Sequence, residues 1–221
     1  MLPVLGGIIA DTISLNGVFV LAIVTGALSN RGRRMRRVMR RAANAVCRRS
    51  WTAARLYYHL WDMALEGGPG EEVWYFAFGS NMHDSAFRNR RRMTPDEWRA
   101  GRIKGYRLRF NLDGRPKGRA APANIAPAPD AEVWGVLYKI TRRDLVRLDS
   151  TEGVPGRHYR HLWVEAEDGA GRPVSVVTYI AQGNAADGKP SLRYLTLLRE
   201  GARAHGLPDH RCRFLDGVDA A

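Results

Sequence analysis

Residues 73–78, Val-Trp-Tyr-Phe-Ala-Phe, form an apolar run that leads directly into Gly79-Ser80-Asn81-Met82. The run is rich in aromatic and small residues and reads as a buried strand. Gly79 permits backbone angles that other residues avoid, and Ser80 and Asn81 favour a turn or the cap of a following helix. A strand, a glycine turn and a helix start together aim several backbone N–H groups at one point, a nest suited to a carboxylate or a polarised carbonyl. The same join serves packing alone in many α/β proteins. A second stretch, Leu148-Asp149-Ser150-Thr151-Glu152-Gly153-Val154, favours a ligand.

From residue 73 onward, strand and helix signals alternate. Residues 83–92 suit a short helix, and Thr94-Pro95-Asp96-Glu97 reads as a helix start, with proline at the first helical position and acids behind it. Residues 106–110 alternate apolar and basic, as a half-buried strand does. Residues 111–130 are rich in Gly, Pro and Ala and read as a long loop, with a short strand at 123–126. Residues 132–140 are the strongest strand signal, after which Thr141 and Asp144 approximate a capping box for a helix stopped by Gly153. Residues 162–167 and 174–181 form a hairpin about the turn at 168–172. Ser191 opens a helix through Tyr194, Leu195, Leu198 and Ala202, ended by Gly206 and Pro208, and a shorter helix follows before Gly217. The expected fold is a mixed α/β (α+β) domain over residues 72–217, its mostly antiparallel sheet curled into a small barrel with flanking helices. An N-terminal helical extension precedes it.

The chain has 221 residues, enough for one domain and an appendage. Its net charge of +13 is split. Residues 1–71 hold ten arginines against four acids, most of the excess lying between Arg31 and Arg55, whereas the excess beyond is scattered except at Arg88, Arg90, Arg91 and Arg92. Scattered basic charge suits a solvated surface or attraction for anionic substrates. No nucleic-acid motif and no zinc spacing accompanies it, so neither a nucleic-acid partner nor a metal is expected. Cys47 and Cys212 are the only cysteines and lie outside both suspect motifs, which fits a reducing, cytoplasmic setting without a disulfide scaffold.

Residues 1–28 are apolar apart from Asp11 and a few small polar residues, and no positive charge precedes them as in a secretory signal. Residues 29–71 are a basic helical extension closed by the linker Gly67-Gly68-Pro69-Gly70. Three readings of this extension stand together: a membrane anchor with contact through residues 1–60, a dispensable extension, or upstream sequence translated from a misplaced start. Arginines following an apolar span would keep the remainder of the chain on the cytoplasmic side. The sequence leaves the oligomeric state open.

Glu152 stands between a helix end and Gly153-Val154-Pro155-Gly156. A glutamate there is usually a solvated terminus. It also faces the negative end of the helix dipole, an arrangement that suits a proton acceptor.

Tyr75-Phe76-Ala77-Phe78-Gly79-Ser80-Asn81-Met82, Val133-Trp134-Gly135-Val136-Leu137-Tyr138 and the Glu152 stretch, in this order and spacing, resemble the γ-glutamylcyclotransferase family. Lys189-Pro190-Ser191-Leu192-Arg193-Tyr194 and His205-Gly206-Leu207-Pro208 add to the resemblance, which covers about residues 73–217. It implies a lyase that needs no cofactor. The α-amine of a γ-glutamyl amino acid or peptide attacks its own γ-carbonyl, releasing 5-oxoproline and the free amino acid. By the same resemblance Glu152 is the catalytic acid/base, and Tyr75, Phe76, Ala77, Phe78, Gly79, Ser80 and Tyr194 bind the substrate. Tyr159 and Tyr179 are weaker candidates for the pocket wall, and Asn81 braces the turn. Phe78 departs from the tyrosine often found before Gly-Ser in the family, which puts one hydroxyl contact in doubt. A γ-glutamyl amine or a biosynthetic γ-glutamyl intermediate as substrate, and a non-catalytic ligand-binding module, remain as alternatives.

Overall fold

A computed structural model of the chain describes residues 45, 50–59, 67–114, 120–154, 158–184 and 186–221. The candidate anchor at 1–28 and most of the basic extension lie outside them. Among the described residues no helix is long and apolar enough to cross a membrane. The chain divides into two compact units, one of Glu72–Thr141 with Arg157–Ala221, the other of residues up to Glu71 with Arg142–Gly156.

The first unit is a closed five-stranded barrel with the strand order β1-β3-β2-β4-β5. Its strands are β1 (Glu72–Ala77), β2 (Glu97–Arg109), β3 (Asn124–Thr141), β4 (Arg160–Asp168) and β5 (Pro173–Ile180). All neighbours pair antiparallel except β1 and β5, whose parallel pairing closes the barrel. Because side chains alternate across a strand, the register assigns each residue to a face. Phe76 pairs with Leu137, Ile103 with Val133 and Val164 with Val176. Phe76, Leu137, Ile103, Val133 and Val176 are fully buried and fill the lumen. Each contributes about 1.5–3 kcal/mol by burial, against roughly 0–1 kcal/mol for an exposed ion pair. The apolar lumen therefore dominates the barrel's stability.

Two lumen glycines, Gly101 and Gly135, face each other across β2 and β3. A Cβ at Gly135 would fall against the Ala77 carbonyl and the Phe76 ring, and one at Gly101 would meet Leu137 Cδ1 at 2.6 Å and the Glu167 carbonyl at 2.7 Å. The missing side chains are what let the large lumen residues fit.

The outer face of β1 and β3 carries Tyr75 paired with Tyr138. Phe87, from the π-helical turn Ser85–Arg90, stacks on both, with centroids 5.8 Å and 4.3 Å away. Helix α3 (Leu192–Ala204) is capped by Ser191, whose hydroxyl accepts the Tyr194 N–H, and α4 (Asp209–Asp216) follows it. Arg199 donates to the Leu215 and Asp216 carbonyls, tying α3 to the end of α4.

Two expectations change here. Thr94-Pro95-Asp96-Glu97 opens β2, not a helix: Glu97 and Trp98 pair with Lys139 and Tyr138, so tertiary pairing with the strongest strand overrides a local helix signal. The loop expected over 111–130 is also shorter, since β3 already begins at Asn124 and runs 18 residues. Pro127 sits in it where the pairing with β2 shifts register at Lys104/Tyr106, and proline is tolerated at such an irregularity.

In the second unit, Ser50 caps α1 (Trp51–His59) through a hydrogen bond from the Ala53 N–H. The Gly/Pro stretch, expected as a plain linker, is a formed turn joined to the start of α2 (Arg142–Glu152). The Arg142 and Arg143 N–H groups donate to the carbonyls of Glu71 and Pro69, so these carbonyls supply partners that a helix start lacks. The Arg142 guanidinium also holds the Glu71 carboxyl below its ordinary range.

Candidate active site

Strand directions place the C-terminal ends of β1 and β5 and the N-terminal ends of β3 and β4 at one end of the barrel. There the chain leaves β1 through Phe78 and Gly79 into the 3-10 turn Ser80–Met82. The turn closes on itself through Met82 N–H to Gly79 O at 3.0 Å and His83 N–H to Ser80 O at 3.1 Å. The amides of Gly79 and Ser80 open the turn, and among the described residues neither donates to another group. Two half-buried donors are thus presented side by side.

A closed circuit of contacts surrounds them. Asn81 Nδ2 donates to the Tyr75 hydroxyl at 2.8 Å, and the Tyr75 ring lies 5.6 Å from Tyr179. Tyr179 lies 6.4 Å from Tyr159, whose hydroxyl donates to the Ala123 carbonyl at 3.0 Å. The Ala123 N–H donates to the Tyr194 hydroxyl at 3.2 Å. That hydroxyl stands over Gly79, where an added Cβ would come within 2.9 Å of it. The circuit returns to the turn that holds Asn81.

Helix α3 fixes this turn at further points. Gly201 abuts Met82, and a Cβ there would lie 2.8 Å from the Met82 carbonyl carbon. His83 Nδ1 accepts from the Ser85 N–H at 3.1 Å, so the proton sits on Nε2, which donates to Glu200 at 3.0 Å. Behind the turn, the Tyr138 hydroxyl meets His205 Nε2 at 3.1 Å, and burial pushes the Tyr138 phenol well above the ordinary tyrosine range.

Of the residues singled out in the sequence, Tyr75, Gly79, Ser80, Asn81, Tyr159, Tyr179 and Tyr194 come together here. Phe76 and Phe78 do not present their side chains to it. Their rings pack together at 6.5 Å, both buried and on the side of β1 opposite Tyr75. Position 78 is therefore a packing position, and Phe78 lacks no hydroxyl that the Tyr75–Tyr194 circuit uses. Ala77 is fully buried and, by alternation along β1, lies on the same face as Tyr75. Glu152 is the last residue of α2, in the other unit, and is half-buried. Among the described residues, no three His, Cys, Asp or Glu side chains lie together as a metal site.

Sequence reasoning passed over Ala123, which serves through its backbone at the start of a short strand read within the loop, and His161. His161 pairs directly with Tyr179, ring to ring at 5.7 Å. The Tyr159-x-His161-x-Trp163 alternation was the available signal, but it lies at a strand start that the pattern placed at Leu162.

The AIG2-like family model matches residues 132–215, from within β3 to α4. A γ-glutamylcyclotransferase of Homo sapiens is 30% identical over 148 residues, spanning 64% of this chain and 76% of that protein. The chain belongs to the γ-glutamylcyclotransferase family. A γ-glutamylcyclotransferase of Bos taurus is 29% identical over 161 residues, 70% of this chain and 83% of that one. A solved structure named γ-glutamyl cyclotransferase superposes with a TM-score of 0.63 at 26% identity, over 68% of this chain and 90% of its own. The closed barrel with flanking helices is thus the γ-glutamylcyclotransferase fold.

Proposed function

We propose that this chain is a cyclotransferase that converts a γ-glutamyl amino acid or peptide into 5-oxoproline and a free amino acid. The observation that carries the reading is the pair of open amides at Gly79 and Ser80 with the Tyr194 hydroxyl above them. Such donors grip a carboxylate or a polarised γ-carbonyl, and losing one oxyanion donor typically costs about 10²–10³ in rate. The substrate brings its own nucleophile. Folding the glutamyl chain back is worth up to about 7–11 kcal/mol in favourable intramolecular cases. The protein then has to hold that shape, accept a proton and stabilise charge.

Glu152 is the proposed acid/base. It takes a proton from the α-ammonium, the amine nitrogen bonds to the γ-carbonyl carbon, and the amide C–N bond breaks as the leaving nitrogen recovers a proton.

The test incubates the full chain with γ-glutamyl amino acids, γ-glutamyl amines and glutathione, following 5-oxoproline. Release from at least one is expected, and release from none overturns the proposal. Glu152→Gln is expected to lower kcat by about 10²–10⁴ with an unchanged Tm; turnover equal to wild type would remove its assignment.

A further inference from the structure

Tyr159, immediately before β4, and His161 and Trp163 on its outer face place three ring-bearing residues at alternate positions. The register sets this row on the same face as the site, because His161 pairs with Tyr179 and Trp163 with Val177, itself paired with Tyr75. Successive members stand about 7 Å apart along the strand. Tyr179, 3% exposed, touches Tyr75, Tyr159 and His161, whereas Trp163 is 50% exposed. The row therefore runs from the wall of the candidate site out to solvent.

We propose that this row is the subsite for the leaving group, and that it selects γ-glutamyl compounds whose released amino acid carries an aromatic ring. The inference rests on the cyclotransferase reading. A γ-glutamyl substrate anchored at the Gly79 and Ser80 amides projects its leaving group away from them. The wall beside those amides offers π-faces and edges, against which an aromatic ring gains more than its buried area alone supplies. His161 is the central contact and Trp163 the rim. A small aliphatic leaving group reaches neither ring face and gains little.

The test compares γ-glutamylphenylalanine with γ-glutamylalanine. Wild type is expected to favour the aromatic compound in kcat/KM by about tenfold, the equivalent of one good aromatic contact. Trp163→Ala and His161→Ala bring that ratio towards one, mainly through KM. Trp98→Ala, the matched control at a tryptophan 45% exposed on β2, leaves the ratio as in wild type. The same pair of ligands is titrated calorimetrically into Glu152→Gln, which reads selectivity without turnover. Equal Kd values for the two ligands overturn the subsite and leave the cyclotransferase reading standing. Discrimination in binding, with no 5-oxoproline from wild type, overturns the cyclotransferase reading and retains the subsite. Failure of both ligands to bind overturns both.

Discussion

The two ends of the barrel are held by different chemistry. At the end where β2 and β5 begin and β4 finishes, the contacts are ionic and saturated. Asp168, whose side chain is 1% exposed, accepts from the Arg172 guanidinium and from the Ala170 and Arg172 amides, and it also pairs with Arg99 at 3.2 Å. Midway along β2, Arg102 bridges Glu132 and Glu167, and Glu167 also takes Lys104. At the opposite end Arg109 still pairs with Asp187 at 2.9 Å, but around the glycine turn phenol hydroxyls and backbone groups make the contacts, and the Gly79 and Ser80 amides are left open. One end spends its polar groups on itself and can only stabilise the hairpin. The other holds donors in reserve, and a reserve of donors is what a binding site requires.

That contrast breaks most readily at Gly79. Gly79→Ala drives a Cβ to 2.9 Å from the Tyr194 hydroxyl, and a displacement of this kind at a catalytic contact can cost on the order of 10² in kcat/KM. The expected result is that loss of 5-oxoproline release with little change in Tm, and recovery of part of it in Gly79→Ala/Tyr194→Phe. A collapse in Tm instead would make the turn a structural joint.

Asp168→Asn is the converse at the ionic end. It is expected to lower Tm, by thermal unfolding, while leaving kcat/KM unchanged; a change in KM would mean that the two ends are coupled. Acid sharpens the same point. The Arg172 guanidinium and amide, with the Ala170 amide, hold the Asp168 carboxyl down at about 2 from an ordinary 3.8. The folded state therefore binds the proton less readily than the unfolded chain does. Its stabilisation is complete above about 3.8 and is lost as the pH falls through about 2. Acid unfolding of wild type should show a component in this window that Asp168→Asn lacks.

The smallest effect is expected from Tyr159→Phe, which removes one hydrogen bond to the Ala123 carbonyl. A net loss of about 0.5–1.5 kcal/mol corresponds to a several-fold rise in KM. No rise would make the hydroxyl a strand tether alone.

Much of the domain was legible because its signals are local. Aromatic and β-branched runs at 73–78, 132–140 and 174–181 reported strands, and Ser191 with Gly206 and Pro208 bracketed α3 at both ends. The β2 start was misread because Pro95 with acids behind it looks the same before a helix as before a strand, and only pairing with Lys139 and Tyr138 decides between them. The start of α2 was legible only in part: the Glu71 and Pro69 carbonyls that accept from its first amides lie about seventy residues away in the chain. Among site residues, Tyr75, Gly79, Tyr159, Tyr179 and Tyr194 were visible as residue types in motifs. Ala123, acting only through its backbone, carried no chemical label.

By itself the sequence determined the strand that feeds a glycine turn, the order of the elements around it and the family motifs, since backbone freedom and apolar periodicity are properties of neighbouring residues. Which face of β1 carries the candidate site emerges only from the tertiary structure. Closing the barrel consumes Phe76 and Phe78 as lumen packing and turns Tyr75 outward to Asn81, because a strand shared between a core and a site can give each only every second side chain.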